Sequence, residues 1–236
     1  MIGALYDKVD GSTKADWKSR PERSRFVKRL AEKFAAKKIL NVGSGGAREL
    51  ARAVAGDIKV FDIDMAGDCD LKLDLDAVEA LPFNDEEFDF VCSMDVLEHL
   101  ESFHQINQEL LRVSRRYVLV SLPNSACEIV NIILNKGSFG SDSERGYYSK
   151  YYGLPLVVPE DRHRWWLYPQ DIVRFYEHFS ANNKCGVKYF LPRRTMKGRV
   201  LELLLGRRIF TTFLTPHIAV LLDKYPNVSD TDSPVS

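Results

Sequence analysis

Five short apolar runs, each giving way to glycine, proline or a helix-patterned stretch, constrain this chain most. Lys38–Val42 (KILNV), 58–61 (IKVF), 71–75 (LKLDL), Phe88–Met94 (FDFVCSM) and 117–122 (YVLVSL) have the length and residue types of buried strands. Helical spacing fills several of the gaps. Residues 22–37 place Phe26, Val27, Leu30 and Phe34 on one face, 47–54 follow the first run, and LEHLESFHQINQELLRVSR follows the fourth. Strands alternating with helices at such intervals need crossover connections, and these build a parallel sheet with right-handed crossovers. Pro123 stops the fifth run, and a helical patch (ACEIVNIIL) follows. Farther on, 168–179 reads as a helix and 187–191 as a sixth strand. His217–Asp223 reads as a seventh, because Pro216 blocks a helix through it.

The first run passes directly into Gly43-Ser44-Gly45-Gly46-Ala47. Glycines at a strand-to-helix turn permit positive φ and close approach of a ligand to the backbone. Amides at the start of the next helix then suit a phosphate or carboxylate. The dinucleotide fingerprint GxGxxG requires glycine at its sixth position; here Arg48 stands there, leaving GxGxA. Asp62 follows the second strand, where a carboxylate can accept both ribose hydroxyls. Asp64 and Asp68 read as surface acids. For the glycines alone, a tight turn without a ligand is the plainer alternative.

At 236 residues the chain is long for one α/β domain, so a single elaborated domain over 1–225 is expected, with 226–236 a disordered tail. Lys plus Arg and Asp plus Glu balance at 33 each, which gives no overall pull toward nucleic acid. Locally the balance breaks: 62–89 carry eleven acids against Lys72, and 193–208 carry six bases against Glu202. Cys69, Cys92, Cys127 and Cys185 form no CxxC pair, which argues against a zinc site and fits a reducing compartment. The N-terminus has no signal-like apolar run and no stretch is long enough to span a bilayer, so the expected location is cytoplasmic.

In order over about 38–124, ILNVGSGGARELA, VFDID, LPFNDEEFDFVCSMDVLEHL and ELLRVSRRYVLVSLPN resemble the successive motifs of small class I methyltransferases dependent on S-adenosylmethionine (SAM), the methyltransferase type 11 group. The resemblance implies a Rossmann-like α/β fold: a seven-stranded, mostly parallel sheet, helices on both faces and strand seven antiparallel. A cap insertion at about 136–168 would lie between strands five and six. SAM is the implied cofactor and S-adenosylhomocysteine the product. Carried onto this chain, the pattern gives the methionine moiety to Asn41, Gly43, Ser44, Gly45 and Ala47. Asp62 and Ile63 take the ribose, Asp74 (or Asp76) and Leu75 the adenine, and Asp95 lies near the sulfonium or the acceptor. Two positions depart from the pattern: Asn41 replaces the usual acid and Ala47 the usual third glycine. Asn41 keeps an acceptor oxygen but no charge.

Methyl transfer is an in-line displacement, in which positioning dominates. A general base is needed only for a hydroxyl or a protonated amine. Asp95, His99 and His163 are the candidates. Asp95-x-x-Glu98-His99 also resembles the divalent-metal cluster (ExxEH) of some methyltransferase branches. Its first residue is Asp and no second histidine lies nearby in sequence, so the residues read as a helix start and no metal is expected.

The stretch SERGYYSKYYGLPLVVPEDRHRWWLYPQD concentrates Tyr147, Tyr148, Tyr151, Tyr152, Trp165, Trp166 and Tyr168 beside Arg162, His163 and Arg164. Such a set suits a sugar, nucleotide or aromatic acceptor bearing an anion. GLP…P-x-DRHRWWL is also similar to a stretch in methyltransferases of bacterial surface-glycan synthesis. The expected partner is therefore a small-molecule or glycan-type acceptor, in surface polysaccharide or secondary metabolite synthesis. The basic segment RRTMKGRVLELLLGRR has two readings: weak peripheral contact with a membrane surface, or leucines packed on the sheet with a solvated basic edge. Two other functions compete. Asn41 keeps open a SAM-binding scaffold without turnover. An NAD-dependent oxidoreductase is opposed by Arg48 and by the lack of any Tyr-x-x-x-Lys pair.

Overall fold

The computed structural model describes residues 19–54, 56–135, 162–192 and 196–226. Its strands are β1 (Lys38–Val42), β2 (Lys59–Asp64), β3 (Leu71–Lys72), β4 (Phe88–Met94), β5 (Ser114–Pro123), β6 (Gly186–Phe190) and β7 (His217–Asp223). Its helices are α1 (Arg20–Lys33), α2 (Glu49–Ala53), α3 (Phe103–Val113), α4 (Ser125–Asn135), α5 (Pro169–Asn183), α6 (Met196–Leu205) and α7 (Arg207–Leu214). The strands form one sheet in the order β3-β2-β1-β4-β5-β7-β6, with β7 antiparallel to both of its neighbours. This is the expected seven-stranded, mostly parallel α/β sheet.

Alternation along the strands sorts side chains to two cores. Ile39, Phe90, Cys92, Leu119 and Leu221 face α1, which contributes Phe26, Val27, Leu30 and Ala31. Leu40, Val91, Val118 and Val220 face the opposite way, onto Ile106 and Leu110 of α3 and Tyr176 of α5. Each fully covered large side chain, such as Phe26 at 0% exposure, contributes about 2–3 kcal/mol of burial. The Tyr176 hydroxyl donates to Asn107 Oδ1 at 2.7 Å, so this buried polar pair between the two helices is satisfied. Helix α1 starts with Pro21 in its first turn, and the Ser19 amide donates to the Glu22 carboxylate at 3.0 Å. With Phe26 and Leu30 turned to the sheet, Arg20, Arg23 and Ser24 fall toward the ends of β1 and β4.

Several boundaries differ from the sequence expectation, three of them next to the glycine loop and the strand that follows it. β2 continues past Phe61 to Asp64, β3 shrinks to two residues, and α2 begins at Glu49 rather than at 47. Arg48 causes the last shift: at φ 46 it is left-handed, and its guanidinium pairs with Asp68 at 2.6 Å and Asp70 at 2.9 Å. The basic segment also differs. Gly206 (φ 79) separates α6 from α7, and no residue of α6 is buried; Leu203 is 85% and Leu204 75% exposed. The expectation that these leucines pack on the sheet therefore fails. Helix α7 is held instead through buried Phe210 and Thr211, and through Asn124. The Asn124 amide donates toward the carbonyls of Thr211, Thr212 and Thr215 at 2.7–3.3 Å. Of the expected cap insertion only 162–168 lies within the described residues, and of the expected tail only Pro226; Tyr147, Tyr148, Tyr151 and Tyr152 lie outside them. Among the described residues, no helix is long and apolar enough to cross a membrane.

Candidate active site

β1 pairs with β2 on one side and β4 on the other, so successive connections leave its C-terminal end in opposite directions. A crevice at such a switch point is where open α/β sheets bind ligands. Here it is a cleft of about 730 Å³, within the usual range for a cofactor or small-ligand site.

The glycine loop forms its floor. Gly43 (φ 72) lies under Val96: a β-carbon there would sit 2.2 Å from Val96 Cγ2, so both conformation and space demand glycine. Gly46 is pressed against Gly67 in the same way. The amides of Gly43 and Ser44 donate to the Ile63 carbonyl, Gly45 to Asp64 Oδ2 at 2.7 Å, and Gly46 to Ser44 Oγ. These four donors are thus engaged inside the protein. What the loop offers is close approach to its backbone rather than a nest of open N–H groups. Asn41, Gly43, Ser44 and Gly45 line the cleft; Ala47 does not, its backbone bridging to Asp68 instead.

Of the two acids of β2, the one expected at the surface borders the cleft, and the one expected at the ribose is buried. Asp62 is 0% exposed, away from the cleft lining, and accepts from Asn41 Nδ2 at 2.7 Å. Asn41 Oδ1 faces the Cys92 thiol at 3.4 Å, so neighbouring strands carry a buried polar row of Asp62, Asn41 and Cys92. Burial pushes the Asp62 carboxyl above its ordinary range, opposed by the Asn41 hydrogen bond. Asp64, two residues on at the end of β2, borders the cleft and contacts Gly45. Ile63 lines the cleft as expected.

The adenine end also differs. Leu73 and Leu75 face the cleft, while Asp74 between them is exposed and accepts from the Asp76 amide at 3.0 Å. Once β3 has ended, alternation turns Asp74 outward. Asp76 is committed to α3: it accepts from the amides of Glu101 and Ser102 and from the Ser102 hydroxyl. That is the work of a helix cap.

Asp95 stands just past β4 in a left-handed conformation, φ 56. Its carboxylate accepts from Arg23 Nη1 at 2.6 Å and from the Ser121 hydroxyl, and lies 3.6 Å from His217 Nδ1. Burial alone would raise its pKa, but His217, Arg23 and Ser121 together hold it down at about 2. A carboxylate so placed is a weak base at neutral pH and a strong electrostatic anchor.

His99 and His163 also line the cleft, edge to face, with ring centres 4.8 Å apart. Glu98, 1% exposed, sits beside them. A second pocket of about 310 Å³ adjoins, sharing Pro123, His163 and His217 with the cleft and lined farther out by Cys127, Glu128 and Ile132 of α4. The structure thus gathers Asp95, His99 and His163 around one space. It adds Arg20, Arg23, Asp64 and His217, which sequence reasoning missed. His217 could have been found from its place: it opens an antiparallel strand opposite Pro123, at the ligand end of the sheet.

Residues 40–120 match the family model described as a methyltransferase domain. Among solved structures, the methyltransferase domain of bacterial CtHen1 superposes with a TM-score of 0.54 at 11% identity, over 85% of this chain and 97% of that one. A SAM-dependent methyltransferase from Archaeoglobus fulgidus gives 0.52 at 14% identity, over 87% and 94%. The plantazolicin methyltransferase BpumL gives 0.52 at 10%, over 86% and 82%. No curated protein sequence matches the chain. The sheet order is that of the class I methyltransferase fold, and residues 40–120 carry the methyltransferase-domain pattern. Residues 40–120 are thus similar to the methyltransferase type 11 group, and that similarity weighs against the NAD-dependent alternative.

Proposed function

We propose that this methyltransferase transfers the methyl group of SAM to a hydroxyl of a small-molecule or glycan-type acceptor, with donor and acceptor in adjoining spaces. One observation carries this reading: the Asp95–His217 pair stands where the large cleft meets the second pocket.

The cleft suits SAM along its length. Arg20, whose Nη1 reaches the Gly45 carbonyl at 3.1 Å, stands ready for the methionine carboxylate beside Asn41, Gly43 and Ser44. Asp64 rather than Asp62 is the carboxylate for the ribose hydroxyls, because Asp62 is sealed in the sheet. Ile63, Leu73 and Leu75 give adenine an apolar slot. When bound, SAM supplies a methyl group on cationic sulfur, an electrophile that needs no acid. The protein's task is then to place the acceptor oxygen in line and take its proton. His217 is the group for that proton, and Asp95 orients the ring, the logic of an acid–imidazole pair. Arg162 and His163 on the cleft wall favour an acceptor with an anionic group, as surface-glycan and secondary-metabolite precursors often carry.

The exposed leucines of α6, flanked by Lys197 and Arg199, support peripheral contact with an anionic lipid surface.

Calorimetry on the full chain tests the donor assignment. SAM and S-adenosylhomocysteine should bind and NAD should not. Asp64→Ala should weaken SAM about 10- to 150-fold, equivalent to about 1.5–3 kcal/mol for a charge-assisted contact. Unchanged affinity in that variant removes Asp64 from the ribose site.

A further inference from the structure

We propose that Glu98, His99 and His163 form a binding site for a divalent transition-metal ion on the wall of the cleft. One ligand atom from each residue lies within 4.8 Å of the others, and no other group of this kind occurs among the described residues. One carboxylate and two imidazoles suit Zn²⁺, Mn²⁺ or Fe²⁺ better than the all-oxygen preference of Mg²⁺ or Ca²⁺. Tetrahedral ligands at about 2.1 Å from one ion stand about 3.4 Å apart, so binding draws the widest-spaced of these side chains together by about 1 Å or a little more.

The expectation of no metal rested on the lack of a second histidine near Glu98-His99. The fold supplies it from 64 residues away. Glu98 and His99 sit on the 3₁₀ turn Leu97–His99 that follows β4. The two residues after His163 clamp it against that turn. The Arg164 amide donates to the Glu98 carbonyl at 2.7 Å, Arg164 Nε to the His99 carbonyl at 2.6 Å, and Trp165 Nε1 to the Leu100 carbonyl at 2.6 Å. Glu128 Oε2 of α4 lies 3.9 Å from His163 Nδ1. Asp95, the residue sequence would have made the first ligand, is taken up by Arg23, Ser121 and His217 and leaves the set.

Because His163 borders both the cleft and the second pocket, the ion would lie where an oxygen-bearing acceptor enters. That role rests on the methyltransferase reading; ion binding itself does not. The test uses Mn²⁺ and Zn²⁺ on the full chain after chelator treatment. One ion of either metal should bind per chain, and the Mn²⁺ complex should show electron-spin coupling to imidazole nitrogen. Glu98→Gln and His163→Ala should each lower metal affinity by at least about tenfold. His178→Ala, at an exposed position on α5, should change nothing. S-adenosylhomocysteine binding, measured in parallel, reports on the donor site separately and should survive in the variants. The nitrogen coupling needs no variant, so a misfolded mutant leaves the test intact. No uptake by the native chain, no nitrogen coupling, or uptake indifferent to His163→Ala overturns the proposal.

Discussion

Asp95 joins three elements through one carboxylate: α1 through Arg23, β5 through Ser121 and β7 through His217. Its folded pKa of about 2 lies below the ordinary aspartate value. A depressed carboxylate stabilises the fold above its unfolded pKa, and that contribution disappears as pH falls through the folded value. The contribution is about 2 kcal/mol, fully present above roughly pH 5 and lost toward pH 2. Urea unfolding of the native chain and Asp95→Asn should therefore show a stability gap that narrows by about that amount between pH 6 and pH 2; a constant gap refutes the assignment. Asp62 teaches the limits of the sequence at this scale. It looked like the ribose acid because the strand seemed to end at Phe61. Three more residues of β2 carry the end to Asp64, and 62 and 64 share a face, so distance along the strand decides between them. The pairing of Asn41 with Asp62 appears only once register is known, although the departure of Asn41 from the family pattern was plain in the letters.

At the scale of elements, the segment His163-Arg164-Trp165 was expected to present its rings to an acceptor. His163 does face the cleft, but Trp165 packs on Phe103 at 5.6 Å and His104 at 5.5 Å, beside the core that includes Phe175. Its indole covers a helix junction. Trp165→Ala should lower stability by about 2–4 kcal/mol through lost burial and a lost indole bond, read as a falling melting temperature. A variant of native stability with impaired methylation would restore the acceptor role. No periodicity marks such a segment, and for that reason its partners could not be foreseen. Helix α6 was misjudged for the opposite reason: its leucines have helical spacing, but spacing does not say what lies opposite them. Met196, Val200, Leu203 and Leu204 remain open. Sedimentation with vesicles should show binding to phosphatidylglycerol-containing membranes, little to pure phosphatidylcholine, and loss of both with Leu203→Glu plus Leu204→Glu. Equal retention of that double variant would exclude α6 from any lipid contact.

The architecture of the whole molecule was legible to a large degree, because strand and helix periods alternate cleanly from β1 to β5 and parallel pairing follows from that alternation. The place of β7 was not written in any period; only the family resemblance put an antiparallel strand there. That place carries a consequence for the chain as it is made. Among the described strands, β7 comes last in sequence yet lies between β5 and β6, and β6 pairs with β7 alone. Until 217–223 have left the ribosome, β6 has no neighbour to dock on and the flank of β5 stands bare. Two of the seven strands, β6 and β7, therefore join the sheet only once β7 is made, and until then a chaperone or a second nascent chain would compete for the same open edge. His217 arrives with that strand, so the active site and the last stretch of backbone pairing are completed in a single event.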